Sequence, residues 1–352
     1  MEAKGDHGGR FIGGRDRLAQ SALRLKKAWL VAALLTGHRV TQAEAEIPDY
    51  GTWTRRKLQG HVHGLEGDLG AALGAILLDA PNRVRAPVVR WLEGKFDEWA
   101  ATGFGLLVIS TAQEFETRVG RLRARDVLDV PPYAQVLLQP GIDVAFRHPE
   151  YMLVRDLGLL YGLFRDAEDL LEKVDWNRPP EWAAAASENA LALGRASIQC
   201  CFNLLEAFTA GLARARLMAD KNLDNQVADK LRDTRSPLRR RIVVVPGLLR
   251  PEKLALDSNK KPFSILFDDV KVRRDSFVHC EPGPECSERG HVKEELFHDA
   301  FAPQVEQAID ATCDAIRVVW NHVYDRAHPR WLHERGEDRR FARTNLHLSA
   351  ER

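Results

Sequence analysis

A helical segment in the C-terminal half of the chain reads FSILFDDVKVRRDSFVH at residues 263–279. Its apolar residues recur at the three-and-four spacing of one helix face, which comprises Phe263, Leu266, Phe267 and Val270. The same count places Arg274 on this apolar face. A charge there is costly unless a partner, a ligand or a subunit interface compensates it, so the pattern marks Arg274 as a candidate for one of these roles.

Helices are also predicted on both sides of this segment. Residues 181–219 form a long apolar pattern of helical period, residues 225–235 a shorter helix, and residues 303–324 a final one. Pro262 suits the first turn of the central helix, and the Pro-Gly-Pro sequence at 282–284 cannot continue it. The C-terminal half therefore predicts a helical bundle.

The N-terminal half carries helical patterns as well, at residues 16–35, 65–78, 88–99 and 150–174. Residues 104–110 form a compact apolar run that fits either a buried strand or a turn of helix. Residues 136–138 and 142–146 flank Pro140-Gly141 and fit a short hairpin. We therefore predict a mainly α protein whose N-terminal half is mostly helical, with α+β as the alternative.

Composition and proline positions divide the chain into segments. Pro179 and Pro180 cannot continue a helix but suit the first turn of a new one, so we place a domain boundary near residue 178. Both ends of the chain are polar, which is typical of disordered or exposed segments. The predicted division is a disordered leader at 1–14, an N-terminal domain at 15–178, a helical domain at 179–328 and a polar tail at 329–352.

Composition restricts the classes of function. The 352 residues include 51 Lys+Arg and 50 Asp+Glu, so the protein has no overall positive charge that would indicate binding to nucleic acid. Any affinity for RNA must come from local basic patches. The 5 cysteines are an odd number and do not resemble a secreted disulfide framework, which favours a reducing cytoplasm. No signal peptide is recognised, and no apolar run reaches the roughly 20 residues that span a bilayer, so no membrane partner is expected.

The order of helices and the sequence from Arg274-Asp275 to His279 resemble the HEPN superfamily. Its signature is an arginine and a histidine separated by four to six residues, commonly with Asn, Asp or His after the arginine. The Leu-Glu-Ala-Phe stretch at 205–208 is similar to the opening helix of the family. Position 281 is Glu, so the tyrosine of the toxins that pair with nucleotidyltransferase-like antitoxins is absent. The resemblance covers roughly residues 181–326.

The resemblance implies a metal-independent endoribonuclease, that is, a hydrolase that uses the ribose 2′-hydroxyl of RNA as internal nucleophile. Arg274 would hold the phosphate, because its guanidinium stays cationic and offers paired donors. His279 would move the proton, since its reference pKa lies near neutrality. Asp275, Glu206 and Asn203 are candidates for supporting roles. The resemblance also implies a homodimer through this domain, a toxin or anti-phage defence role, and a regulatory or antitoxin partner.

Helix geometry places a condition on the pair. Five residues at about 100° per residue put Arg274 and His279 roughly 140° apart around an ideal helix. Either the helix loosens before His279, or two copies of the motif meet across the twofold axis of a dimer. Taken singly, Arg274 also fits an ion pair with Asp268 or Asp269, and His279 fits a histidine bonded to backbone carbonyls at a helix end.

Basic residues near the motif predict an RNA-binding surface. The candidates are Arg239, Arg240, Arg241, Lys271 and Arg273. The arginine triplet also fits a solvated helix face, and the apolar residues after it lead into a predicted loop with Pro246 and Gly247. The alternative to the enzyme is a noncatalytic HEPN-like module for dimerisation or RNA binding.

No cofactor or metal is expected from the sequence. Its one Cys/His cluster comprises Cys280, Cys286, His291 and His298, whose spacing matches no short zinc module.

Overall fold

The computed structural model describes residues 13–35, 41–78, 84–101, 108–123, 125, 129–138, 145–278 and 300–332. The chain divides into two compact units, Met1–Arg147 and His148–Arg352. Helices dominate both units, which confirms the predicted mainly α fold. None of the helices in the described ranges combines the length and the apolar character that crossing a membrane requires.

The first unit combines helices with a small sheet. Its helices are α1 (Gly14–Leu35), α2 (Gln42–Ala45), α3 (Arg55–Ile76), α4 (Ala86–Ala101) and α5 (Ala112–Arg118). Side-chain caps begin two of them, because the Thr54 and Thr111 hydroxyls accept hydrogen bonds from the first-turn amides of α3 and α5. Helix α1 packs against both α3 and α4. The core between them includes Leu69, Leu92 and Trp99, which are fully buried.

Three antiparallel strands form the sheet of this unit. They are β1 (Val108–Thr111), β2 (Gln135–Leu138) and β3 (Ala145–Arg147), in that spatial order. Thr111 lies opposite Gln135, and Val136 lies opposite Phe146. The apolar run at 104–110 thus contributes a strand rather than a turn of helix over its described part. The first unit is α+β, the alternative that the sequence left open.

The second unit is a bundle around one long helix. Its elements are α6 (Pro149–Leu171), α7 (Trp182–Ala219), α8 (Asn225–Arg232), α9 (Leu238–Leu249), a π-helix (Ile265–Val270), α10 (Lys271–Val278) and α11 (Ala302–Tyr324). Helix α7 packs against α6, α9 and α11, and Phe202, Leu205 and Phe208 on it are almost fully buried. Each such side chain stabilises the fold by about 1.5–3 kcal/mol relative to an exposed one. Helix α7 is therefore the centre of the second core.

The unit boundary lies earlier than residue 178, where the two prolines predict it. Helix α6 belongs to the second unit, because its residues Leu157 and Phe164 share one buried cluster with Ile198 of α7. The prolines thus mark a turn between two packed helices. A local helix break and a domain boundary leave the same signal in the sequence.

The predicted polar tail also begins later than residue 329. Trp331 and Leu332 are 6% and 2% exposed, and the Trp331 ring lies 6.1 Å from the Phe208 ring and 6.5 Å from the Trp320 ring. Trp331 and Leu332 thus belong to the buried cluster of the second unit. Residues 1–12 of the predicted leader and 333–352 of the predicted tail lie outside the described residues.

Helix α9 runs through the segment that the sequence assigns to a loop. Pro246 and Gly247 lie inside it, although a proline in a helix interior costs about 3 kcal/mol. Ile242, Val245 and Pro246 are buried on one face of α9, so burial offsets this cost. Tertiary packing here outweighs local propensity.

Candidate functional site

An open cavity of about 690 Å³ lies in the second unit, between α7, the chain from α8 into α9, and the helix that contains Arg274. Its lining consists of Phe202, Asn203, Glu206, Ala207, Ala210, Thr234, Arg235, Ser236, Pro237, Leu238, Arg241, Phe267, Lys271 and Arg274. Four of these side chains are cationic and one is a carboxylate. The cavity therefore favours an anionic ligand.

Arg274 lies on the cavity wall, with its side chain 17% exposed. Its guanidinium carbon is 4.9 Å from the centre of the Phe202 ring, which places the cation over an aromatic face. One terminal nitrogen, Nη1, lies 3.0 Å from the Asp275 carboxylate, whereas the buried Nε has no hydrogen-bond partner. Arg274 thus pairs with Asp275 rather than with Asp268 or Asp269.

The helix before Arg274 explains its half-buried position. Residues Ile265–Val270 form a π-helix, and α10 follows directly. Val270, one turn before Arg274, is fully buried, whereas the Arg274 side chain is 17% exposed, so Arg274 lies at the edge of the buried stripe. The Ser276 hydroxyl donates to the Arg273 carbonyl oxygen over 2.6 Å, which satisfies it inside the helix. The sequence places Arg274 on the apolar face, whereas in the structure it lies at the edge of that face and is only partly buried.

Asp275 joins two cations of the same helix. Its carboxylate pairs with Arg274 and, one turn away, with Lys271. Because the Asp275 side chain is 27% exposed, its charge is partly screened by water. Asp275 therefore holds Lys271 and Arg274 side by side on the wall without neutralising both.

Arg241 enters the cavity from α9. Its Nε is buried without a hydrogen-bond partner, and within the described part of the chain it makes no ion pair. Buried polar groups in proteins are mostly hydrogen-bonded, although other buried atoms of the described residues, such as Gln199 Oε1 and Asp275 Oδ1, also have no hydrogen-bond partner. The Nε donors of Arg241 and Arg274 can each take a further acceptor. Oxygens of an anionic ligand would satisfy them. Two arginines from separate helices thus offer donors to one cavity.

The structure brings together only some of the predicted residues. Asn203, Glu206, Arg241, Lys271 and Arg274 line the cavity. The Asn203 side-chain oxygen accepts a hydrogen bond from Gln199 at 2.9 Å, and Glu206 is exposed on the wall. His279 lies outside the described residues, as do Cys280, Cys286, His291 and His298. The described residues hold no group of three or more His, Cys, Asp or Glu that could bind a metal.

Three predicted RNA-binding residues lie elsewhere. Arg239 donates to the Asp268 carboxylate over 2.8 Å and to the Asn259 side-chain oxygen over 2.9 Å. Arg240 lines a second, smaller cavity, and Arg273 is not among the residues of the first. The three arginines of the triplet at 239–241 therefore have different surroundings, because consecutive residues of a helix point about 100° apart.

The segment between α8 and α9 adds residues that the motif does not indicate. Asp233 stabilises the turn in this segment. Its carboxylate accepts hydrogen bonds from the backbone amide of Arg235 and from the amide and hydroxyl of Ser236. These bonds, led by that of the Ser236 hydroxyl, lower the pKa of Asp233, so it stays anionic. An Asp-x-x-Ser-Pro turn between two helices is the sequence signal for this arrangement.

No family model matches the chain, and no curated protein or solved structure matches it either. The resemblance to HEPN proteins remains a prediction from the residues around Arg274.

Proposed function

We propose that the second unit is a metal-independent endoribonuclease domain that binds the RNA backbone in the cavity beside Arg274. The proposal depends on one observation: the same cavity is lined by Arg274, Lys271, Arg241, Asn203 and Glu206. These residues come from three helices far apart in sequence. Scattered surface charges would have no reason to converge in this way.

The binding step rests on the two arginines. A phosphodiester in the cavity would accept hydrogen bonds from Arg274 and Arg241, each of which has an Nε without a protein partner. Lys271 adds a further positive charge from the same wall as Arg274. Glu206 and Asn203 face the ligand from α7 and can hydrogen-bond a ribose hydroxyl.

The chemical step is the one that the resemblance to HEPN ribonucleases implies, and the residue types suit it. The ribose 2′-oxygen attacks the neighbouring phosphorus, the bond from phosphorus to the 5′-oxygen breaks, and a 2′,3′-cyclic phosphate and a 5′-hydroxyl form. We assign the proton transfer to His279, whose imidazole accepts the proton of the 2′-hydroxyl and returns it to the leaving 5′-oxygen. Arg274 stabilises the charge that builds on the phosphate oxygens.

Cleavage in the presence of EDTA tests this proposal. Purified full-length protein is incubated with structured and unstructured RNA, and wild type is compared with Arg274→Ala, His279→Ala and Arg232→Ala. The last variant is the control, because Arg232 is exposed and pairs with Asp229 on the surface. We expect at least 100-fold slower cleavage for the first two variants and no change for the third. Equal cleavage by all four proteins would refute the assignment.

The wider role is proposed on the resemblance alone. It comprises a toxin or anti-phage defence effector of the cytoplasm, a homodimer through the second unit, and an inhibitory or regulatory partner. The first unit would restrain or target the second. A complex of two chains in sedimentation experiments is the expected result for the dimer.

RNA binding without cleavage is the second candidate. Among the residues that the structure describes, the cavity lining supplies cations for phosphate but no histidine. Under this candidate, Arg274→Ala weakens RNA binding while wild type cuts no RNA at any enzyme concentration. Products with a cyclic phosphate end would exclude it.

A further inference from the structure

A second cavity, of about 350 Å³, lies on α9 next to the first. Ser236 and Arg241 line both cavities, so the two openings adjoin. The second volume falls within the roughly 300–1,000 Å³ of small-molecule sites.

The second cavity differs from the first in its chemistry. One stretch of α9 gives it an apolar lining, which consists of Val243, Val244, Val245, Gly247 and Leu248. Val245 is buried and the others are partly buried, whereas Lys230 and Arg240 are exposed. Asp233 also lines it and carries a negative charge. Apolar side chains beside a carboxylate suit a flat heterocycle with amino groups better than they suit a phosphate.

Gly247 leaves this cavity open. A β-carbon at this position would meet no atom within 4 Å, so a larger side chain can be accommodated without a steric clash at its β-carbon. Gly247 is itself part of the cavity lining. A residue with a long side chain at position 247 would therefore occupy space that the cavity now offers to a ligand.

We propose that the second cavity binds the nucleobase adjoining the phosphate held in the first cavity. This inference rests on the proposed function, and it makes single-stranded RNA the substrate class. A base in a duplex is stacked and paired, so it can enter a pocket only after it has been unstacked. Val244 and Leu248 contact the face of the base, Asp233 accepts a hydrogen bond from its amino group, and Arg240 contacts the next phosphate.

Binding of uncleavable RNA to the full chain tests the base site. The probe is a 2′-O-methylated oligonucleotide of ten nucleotides, which lacks the hydroxyl needed for cleavage, together with a set in which one base at a time is removed. We expect loss of one base to weaken binding by wild type about 10-fold, with much smaller effects at the other positions. The matched duplex is expected to bind more weakly than the single strand.

A cavity-filling substitution gives the second measurement. Gly247→Leu is expected to weaken binding of the intact probe about 10-fold and to have little further effect on the probe that lacks the sensitive base. Gly158→Leu is the control, since Gly158 lies in α6 with the same free space around its β-carbon and lines neither cavity. Leucine is a good helix former, so both variants are expected to fold.

The outcomes separate the two proposals. Binding that is lost in Arg274→Ala but is insensitive to every single base removal would overturn the base site and leave the phosphate site standing. An equal loss for intact and base-free probes in Gly247→Leu would also overturn it. Failure of wild type to bind the methylated probes, together with failure of the His279→Ala variant to bind the same sequence with free 2′-hydroxyls, would overturn both proposals.

Discussion

At the residue scale, Arg239 and Arg241 differ in what surrounds them. Both belong to one basic triplet, yet Arg239 binds the Asp268 carboxylate and the Asn259 amide, whereas Arg241 has a buried Nε without a partner. The sequence could identify the triplet but not this difference. Asp268 and Asn259 reach Arg239 only after distant parts of the chain have packed, so only the fold decides which arginine is left for a ligand.

This difference predicts unequal effects on RNA binding. Arg241→Ala is expected to reduce affinity for single-stranded RNA about 5- to 10-fold at low salt, because one phosphate contact is lost. It should also reduce the slope of log K against log salt by about 0.7, the value for one contact on a single strand. Arg239→Ala is the matched control and should change both quantities little. Titrations between 50 and 200 mM salt measure both effects, and equal losses would contradict the proposed division of roles.

At the element scale, the helical spacing of apolar residues predicts where helices lie, but it does not predict irregularities within them. Helix α7 was expected at 181–219 and runs from Trp182 to Ala219. The π-helix at Ile265–Val270 leaves no comparable signal, since its four apolar residues and two aspartates fit the spacing of an α-helix equally well. Pro246 inside α9 gives a misleading signal, because buried neighbours offset its cost. The candidate site depends on both features, so the sequence could name Arg274 but not the cavity.

A close approach of two segments makes Gly194 of α7 sensitive to substitution. A β-carbon at this position would lie well under 3.0 Å from the Ala300 carbonyl oxygen, and Val305 of α11 is also close. Gly194→Ala should therefore lower the free energy of unfolding by about 1–3 kcal/mol, as overpacked cores do. Gly158→Ala in α6 meets no such contact and should be neutral or slightly stabilising. Urea unfolding of both variants measures the difference, and an unaffected Gly194→Ala would contradict the packing.

At the scale of the whole molecule, the two units have separate hydrophobic cores. The largest buried cluster comprises residues between Val154 and Leu332, and the next largest comprises residues between Leu25 and Phe146. Composition and proline positions predict two domains, but they misplace the boundary, because Pro179-Pro180 interrupts the helices within the second core. Helix patterns show where a chain turns, whereas a boundary depends on which helices share a core.

Separate cores predict that the second unit folds by itself. Residues 148–352 expressed alone should give a helical protein with a cooperative unfolding transition, because α6 and α7 and their buried contacts are all retained. A fragment of residues 179–352 follows the proline boundary and is the matched comparison. It lacks α6, so Cys200 and other residues under that helix become exposed and the fragment should be much less stable. Circular dichroism during urea unfolding compares the two fragments, and equal stability would place the boundary at the prolines after all.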